Sequence, residues 1–119
     1  MASLSPEKLR NMRNKYDHQV ARFLAGWVIN ERKLLTYVQL GEAFGRPARG
    51  WGDTLGGIAL RCHENNLPLL PVVVVRTGSD LPSEDAILYH ELGLASIEDI
   101  REMQERCFNY DWVSSPLGR

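Results

Sequence analysis

Between Leu35 and Gly57 the chain has little conformational choice. Thr36 and Gln39 stand at capping-box spacing, in which the hydroxyl accepts a backbone N–H three residues on and the glutamine reaches back. A helix is therefore expected from Tyr37 to about Phe44, stopped at Gly45, since glycine accepts the left-handed conformation that ends helices. Pro47 forbids simple continuation. From Ala48 the apolar residues Trp51, Leu55, Ile58, Ala59 and Cys62 resume helical spacing until Asn65-Asn66. A helix, a tight turn and a second helix opening with Arg49 among glycines have the shape of a helix-turn-helix. Gly50, Gly52, Gly56 and Gly57 each cost that second helix roughly 1 kcal/mol relative to alanine. Close approach of its backbone, to a ligand or to another helix, would explain them.

The flanks are mostly helical in pattern. Ser5-Pro6-Glu7 combines an N-cap, a proline at the first helical position and an acid in the first turn. Behind it Leu9, Met12, Tyr16, Val20, Phe23, Leu24 and Trp27 recur every three or four residues. That spacing predicts one amphipathic helix running to about Ile29. Leu67 to Arg76 is β-branched and bounded by turn residues, so a buried strand is expected. The 81–95 stretch is ambiguous, with a short helix opening near Ser83-Glu84-Asp85, running through Tyr89 and ending at Gly93. Ser96 and Asp99 cap a last helix with the stripe Ile97, Ile100, Met103, Cys107 and Phe108. Trp112 is expected to pin the tail, and the chain to fray from Ser114 onward. This gives a single domain over 1–113 and a flexible tail over 114–119.

With 119 residues, 44 % hydrophobic and 24 % charged, the composition is that of an ordinary globular protein. No apolar run approaches the roughly 20 residues of a membrane span, and polar sequence follows Met1-Ala2-Ser3-Leu4, so no membrane partner and a cytoplasmic location are expected. Cys62 and Cys107 lack metal-ligand spacing and read as buried thiols, with a long-range disulfide as the alternative. The net charge of -1 conceals an asymmetry: residues 1–33 sum to +4 and residues 80–112 to -7. Either the two ends are solvated faces that attract one another, or they steer partners, phosphate to the first and a basic protein to the second.

Leu35 to about Arg76 resembles the C-terminal DNA-binding domain of alkylguanine-DNA alkyltransferases and the alkyltransferase-like proteins. The residues that carry the likeness are Thr36-Tyr37, Gly45-Arg46-Pro47, Ala48-Arg49-Gly50-Trp51-Gly52 and the apolar Leu67-Pro68-Leu69-Leu70-Pro71. The resemblance implies a winged helix-turn-helix in which Arg49 enters the base stack and Tyr37 helps rotate a nucleotide outward, a step that costs a few kcal/mol. From the residues alone, Arg49 could equally pair with Glu42 or Asp53, and Tyr37 could be core. The family's alkyl acceptor is a cysteine in a Pro-Cys-His-Arg motif. Here Val72-Val73-Val74-Val75 follows Pro71, and valines supply neither a nucleophile nor an acid or base.

The expected architecture is thus α+β, mostly α: an alkyltransferase-like winged helix-turn-helix with an added N-terminal helix and a C-terminal acidic helix. The expected function is non-enzymatic binding of duplex DNA by a recognition helix at 48–64, with Tyr37, Arg46, Arg49, Trp51 and Arg61 as contacts. No cofactor, metal or small-molecule substrate is expected. The alternative is a protein-binding inhibitor or immunity module that neutralises a basic partner through Glu98, Glu102 and Glu105. Cys62-His63-Glu64 is consecutive on a helix and points three ways. His18 and His90 read as surface or satisfied histidines. Asp80, Glu84 and Asp85 read as a solvated turn rather than a metal cluster.

Overall fold

A computed structural model of the chain describes residues 5–82 and 87–117. The elements in order are α1 (Pro6–Asn14), α2 (His18–Glu31), β1 (Leu35–Thr36), α3 (Tyr37–Phe44), α4 (Gly52–Glu64), a 3-10 turn (Leu70–Val73), β2 (Val74–Val75), α5 (Ile87–Glu91) and α6 (Ile97–Asn109). The result is a mostly helical α+β domain with one small sheet. Its two strands pair in parallel, Leu35 opposite Val74 and Thr36 opposite Val75, so α3 and α4 form the crossover between them.

The expected single N-terminal helix is two helices. Asp17 takes extended backbone, φ -126° and ψ 110°, and its carboxylate accepts the N–H groups of Gln19 and Val20 at 2.9 and 3.3 Å. A cap at Asp17 and the burial of Met12 on α4 outweigh continued helix through Lys15-Tyr16-Asp17. The α3 boundaries follow the expectation. Gln39 N–H bonds the Thr36 hydroxyl at 3.1 Å, the Thr36 N–H bonds Gln39 Oε1 at 2.9 Å, and Gly45 closes the helix at φ +64°.

The second helix of the pair begins at Gly52, four residues later than expected. Pro47, and Gly50 at φ +87°, keep 45–51 as a turn. The expected strand at 67–76 is buried from Pro68 through Val75, but only Val74 and Val75 form strand. Pro71 lacks an N–H for a ladder and sits at the start of the 3-10 turn instead.

The core runs through Leu24, Val28, Leu35, Leu40, Trp51, Ile58, Leu70, the valines 72–75 and Trp112. Gln104 of α6 ties it together: its buried amide donates to the carbonyls of Val72 and Asp80, both at 2.9 Å. The α5 helix ends at Glu91, and the chain turns away at Gly93, φ +103°, with Leu94 N–H returning to the Tyr89 carbonyl at 2.9 Å. The proposed helix start at Ser83-Glu84-Asp85 lies outside the described residues. In α6 the Ser96 hydroxyl accepts Asp99 N–H at 3.2 Å, as the cap spacing requires.

Beyond Trp112 the chain does not fray at Ser114. The Trp112 indole donates to the Cys107 carbonyl at 2.7 Å, the Ser115 hydroxyl donates to the Trp112 carbonyl at 2.7 Å, and Leu117 is buried. An apolar residue five positions past the tryptophan folds back onto the core, which holds the intervening serines. Only 118–119 of the tail lie outside the described residues. Among the described residues no helix is long and apolar enough to cross a membrane.

Candidate nucleic-acid interface

Residues 45–50 are all exposed and link α3 to α4. The turn is pinned where it begins: Arg46 N–H bonds the Gly41 carbonyl at 2.8 Å, and Gly41 lies directly against the carbonyls of Arg46 and Pro47, where a β-carbon would not fit. The Arg46 guanidinium lies over the Trp51 ring at 4.0 Å from its centroid. That indole donates to the Pro47 carbonyl at 2.9 Å. An arginine on an aromatic face loses little of its hydration while its stem is held.

Trp51 is itself 1 % exposed. Its expected role as a DNA contact is therefore corrected: the ring packs edge-on to Phe44 at 5.9 Å, and Phe44 edge-on to Phe23 at 5.4 Å. Trp51 belongs to the core and carries Arg46 on its outer side.

Arg49 is exposed and forms no ion pair among the described residues. The two carboxylates of α4 are taken by α1: Lys8 Nζ reaches Asp53 at 3.2 Å, and Arg13 reaches Glu64 at 3.0 Å. Asp53 is thereby turned from Arg49 toward α1. Arg61 stands more than two turns along α4 with its guanidinium 4.1 Å from the Tyr16 ring centroid. Burial pushes the Tyr16 phenol up, with the positive charge of Arg61 pulling against it. Tyr37 is half-buried at the first position of α3 and within electrostatic reach of buried Tyr89.

These positions correct the recognition-helix expectation in one respect. Thr54 through Leu60 and Cys62 are all buried, because α1 lies across one side of α4 and the 3-10 turn packs on another. What α4 offers solvent is its N-terminal end at Gly52, then Arg61, His63 and Glu64. Its N-terminal N–H groups receive no side-chain cap, so they remain donors at the positive end of a helix dipole. Arg46, Arg49 and this helix end form one group. Arg61 lies apart from it, on the side toward α1.

Chemistry by a side-chain nucleophile finds little support in the two thiols. Burial pushes Cys62 up to about 12 and Cys107 higher still, so both remain protonated at neutral pH. His63 is exposed and Glu64 is bound to Arg13, while Cys62 points inward. Asp80 is engaged by Arg101 at 3.3 Å, and Glu84 and Asp85 lie outside the described residues. His90 is exposed at the end of α5, and His18 Nδ1 lies 3.0 Å from the Tyr16 hydroxyl.

Two features escaped the sequence. The α1–α4 ion pairs span 45 and 51 residues, beyond any local pattern. A shallow groove of about 420 Å³ lies on the outer side of α2, lined by Gln19, Arg22, Phe23, Gly26 and Ile29; the spacing of those residues was legible, the opening was not. The acidic residues Glu98, Glu102 and Glu105 are exposed on α6 and join no ion pair among the described residues. Compared with known proteins, the chain matches no family model, no curated protein and no solved structure.

Proposed function

We propose that this chain is a non-enzymatic DNA-binding protein, a winged helix-turn-helix of the alkyltransferase-like type that grips the duplex backbone with the α3–α4 turn. The observation that carries this reading is the exposed pair Arg46 and Arg49 beside the uncapped start of α4, with the nearby carboxylate of Asp53 neutralised by Lys8. Two guanidinium groups and free backbone N–H donors suit phosphate oxygens. The buried body of α4 makes base readout along its length a lesser part of the contact, so phosphates dominate and affinity falls steeply with salt.

The test is fluorescence anisotropy of labelled duplex DNA with wild-type and Arg49→Ala protein at two salt concentrations. Salt-sensitive binding is expected, weakened in the variant by several-fold, with the salt slope reduced by about 1. Equal affinity in the two proteins rejects the turn as the contact.

A second reading rests on Glu98, Glu102 and Glu105, spaced four and three residues apart on one side of α6 and without an ion-pair partner among the described residues. A basic protein would be drawn to this face, with charge acting mainly on association rate and selectivity. A partner that survives nuclease treatment and is lost when the three are neutralised would favour it over DNA.

A further inference from the structure

The bend between α1 and α2 is a local device set against an unbroken helical pattern. Leu9, Met12, Tyr16, Val20, Phe23 and Trp27 keep helical spacing straight through it, and neither proline nor glycine occurs between Asn14 and His18. What holds the bend is the Asp17 cap, the Tyr16 hydroxyl against His18 Nδ1, and Arg61 over the Tyr16 ring. On its far side α1 packs chiefly on α4. Met12 is its buried residue, seated against Gly56 and Gly57, and the ion pairs from Lys8 and Arg13 flank it. Both pairs are about half exposed, so they contribute little individually and exchange readily.

We infer that the α1-facing side of α4 is a docking surface for the α1 helix of a second copy of this chain, so that two chains exchange α1 and each forms one continuous helix over residues 6–31. A straight helix of that length spans about 39 Å, which carries α1 beyond its own α4. The surface fits this occupant by charge and shape. Asp53 and Glu64 sit at its two ends to receive Lys8 and Arg13, and Gly57 admits only a closely approaching backbone at Met12. The exchanged dimer keeps these contacts and loses only the bend. In the monomer α1 acts at the high effective concentration of a tethered segment, at least millimolar, so the wild-type chain is mainly monomeric at micromolar concentration. The inference is independent of the nucleic-acid reading.

The experiment is sedimentation velocity on the full chain from micromolar to millimolar concentration. Asp17→Ala removes a cap that only the bent form uses, twice per dimer, and is expected to tighten dimerisation by on the order of 10-fold or more. His18→Pro places proline at the first position of α2, where a helix accepts it, and disfavours helix at residue 17; in the Asp17→Ala background it is expected to restore the monomer. A mixing test identifies the interface. Lys8→Glu/Arg13→Glu protein and Asp53→Lys/Glu64→Lys protein each oppose like charges internally, whereas their exchanged heterodimer is complementary at both sites. Heterodimer exceeding either homodimer, with circular dichroism showing each variant helical, is the expected result. Monomer throughout the Asp17→Ala series, or a dimer of that variant without preferential heterodimer in the mixture, overturns the inference.

Discussion

Gly57 of α4 lies against the main-chain carbonyl of Met12 in α1 so closely that a β-carbon at position 57 would overlap the carbonyl oxygen. The same β-carbon would stand 2.9 Å from the Tyr16 backbone nitrogen. This contact, with Met12 Sδ against Gly56, sets the distance between the two helices and explains glycines that weaken α4 taken alone.

Gly57→Ala should gain roughly 1 kcal/mol of helix propensity and lose about 2–3 kcal/mol to overpacking, for a net destabilisation of about 1–2 kcal/mol. Gly52 is a control in the same helix, since nothing lies within 4 Å of a β-carbon there. Gly52→Ala should leave stability unchanged or raise it. Urea unfolding of both variants checks the contrast, and equal effects would reject close packing as the reason for the glycine.

Arg46→Ala should remove its stack on Trp51, lowering stability by about 0.5–1 kcal/mol. It should also weaken DNA binding, because the turn loses a charge. Arg46→Lys separates the two roles: much of the affinity should return, since the charge does, while the planar stack on the indole is not fully restored. Denaturation midpoints and anisotropy titrations on the same two proteins provide the comparison.

Gln104→Leu should leave the Val72 and Asp80 carbonyls without their amide donor and lower stability by about 1–3 kcal/mol. Gln104→Glu should be worse at neutral pH, where a carboxylate would face two carbonyls. It should recover partly in acid, since a protonated carboxyl donates one hydrogen bond. Chemical denaturation of the glutamate variant near pH 7 and in mild acid reads this sign directly.

Stability should fall in alkali. Both thiols titrate near 9 when exposed, and burial raises them in the fold, Cys62 to about 12 and Cys107 further. Below pH 9 both states are protonated and the contribution is fully present. Above it the unfolded chain ionises first, so stability declines by about 1.4 kcal/mol per thiol per pH unit. Denaturation midpoints at pH 8 and pH 10 should show the fall, and Cys62→Ala should reduce it by roughly half. A pH-independent midpoint in that interval would contradict burial of the thiols.

Local chemistry made some of this fold legible. The Thr36–Gln39 capping box, Gly45 and the Ser96 cap are short-range devices, and α3 and α6 occur where they place them. Of the expected α6 stripe Cys107 is buried, Ile100, Met103 and Phe108 are half-buried, and Ile97, in the first turn, is exposed. Other elements depended on competition that a local reading does not see. Asp17 is a strong N-cap, but the apolar spacing runs unbroken across it, and the contacts that hold the bend, Arg61 of α4 over the Tyr16 ring among them, lie far away in sequence. Pro68 and Pro71 permit a buried strand at an edge, but packing at the centre of the core leaves room for a 3-10 turn there. Among the site residues, Arg46 was legible because the turn between Gly45 and Pro47 has to be exposed. Arg49 was read as the opening of the second helix and stands in the turn instead, since Gly50 at φ +87° delays α4 to Gly52. Trp51 was not, since helical spacing gives its face and not what covers that face.

The sequence by itself determined that the chain is mostly helical, where α3 and α6 begin, and that Arg46 stands in a turn. Capping, glycine and proline act within a few residues and need no tertiary partner. Only the tertiary structure decided that α1 folds back across α4, that Lys8 and Arg13 take the carboxylates of Asp53 and Glu64, and that α4 is a core helix exposed mainly at its ends. Those outcomes join residues 45 and 51 positions apart. Hydrophobic burial is non-directional, so an amphipathic pattern states that a face will be covered, and the packed fold selects what covers it.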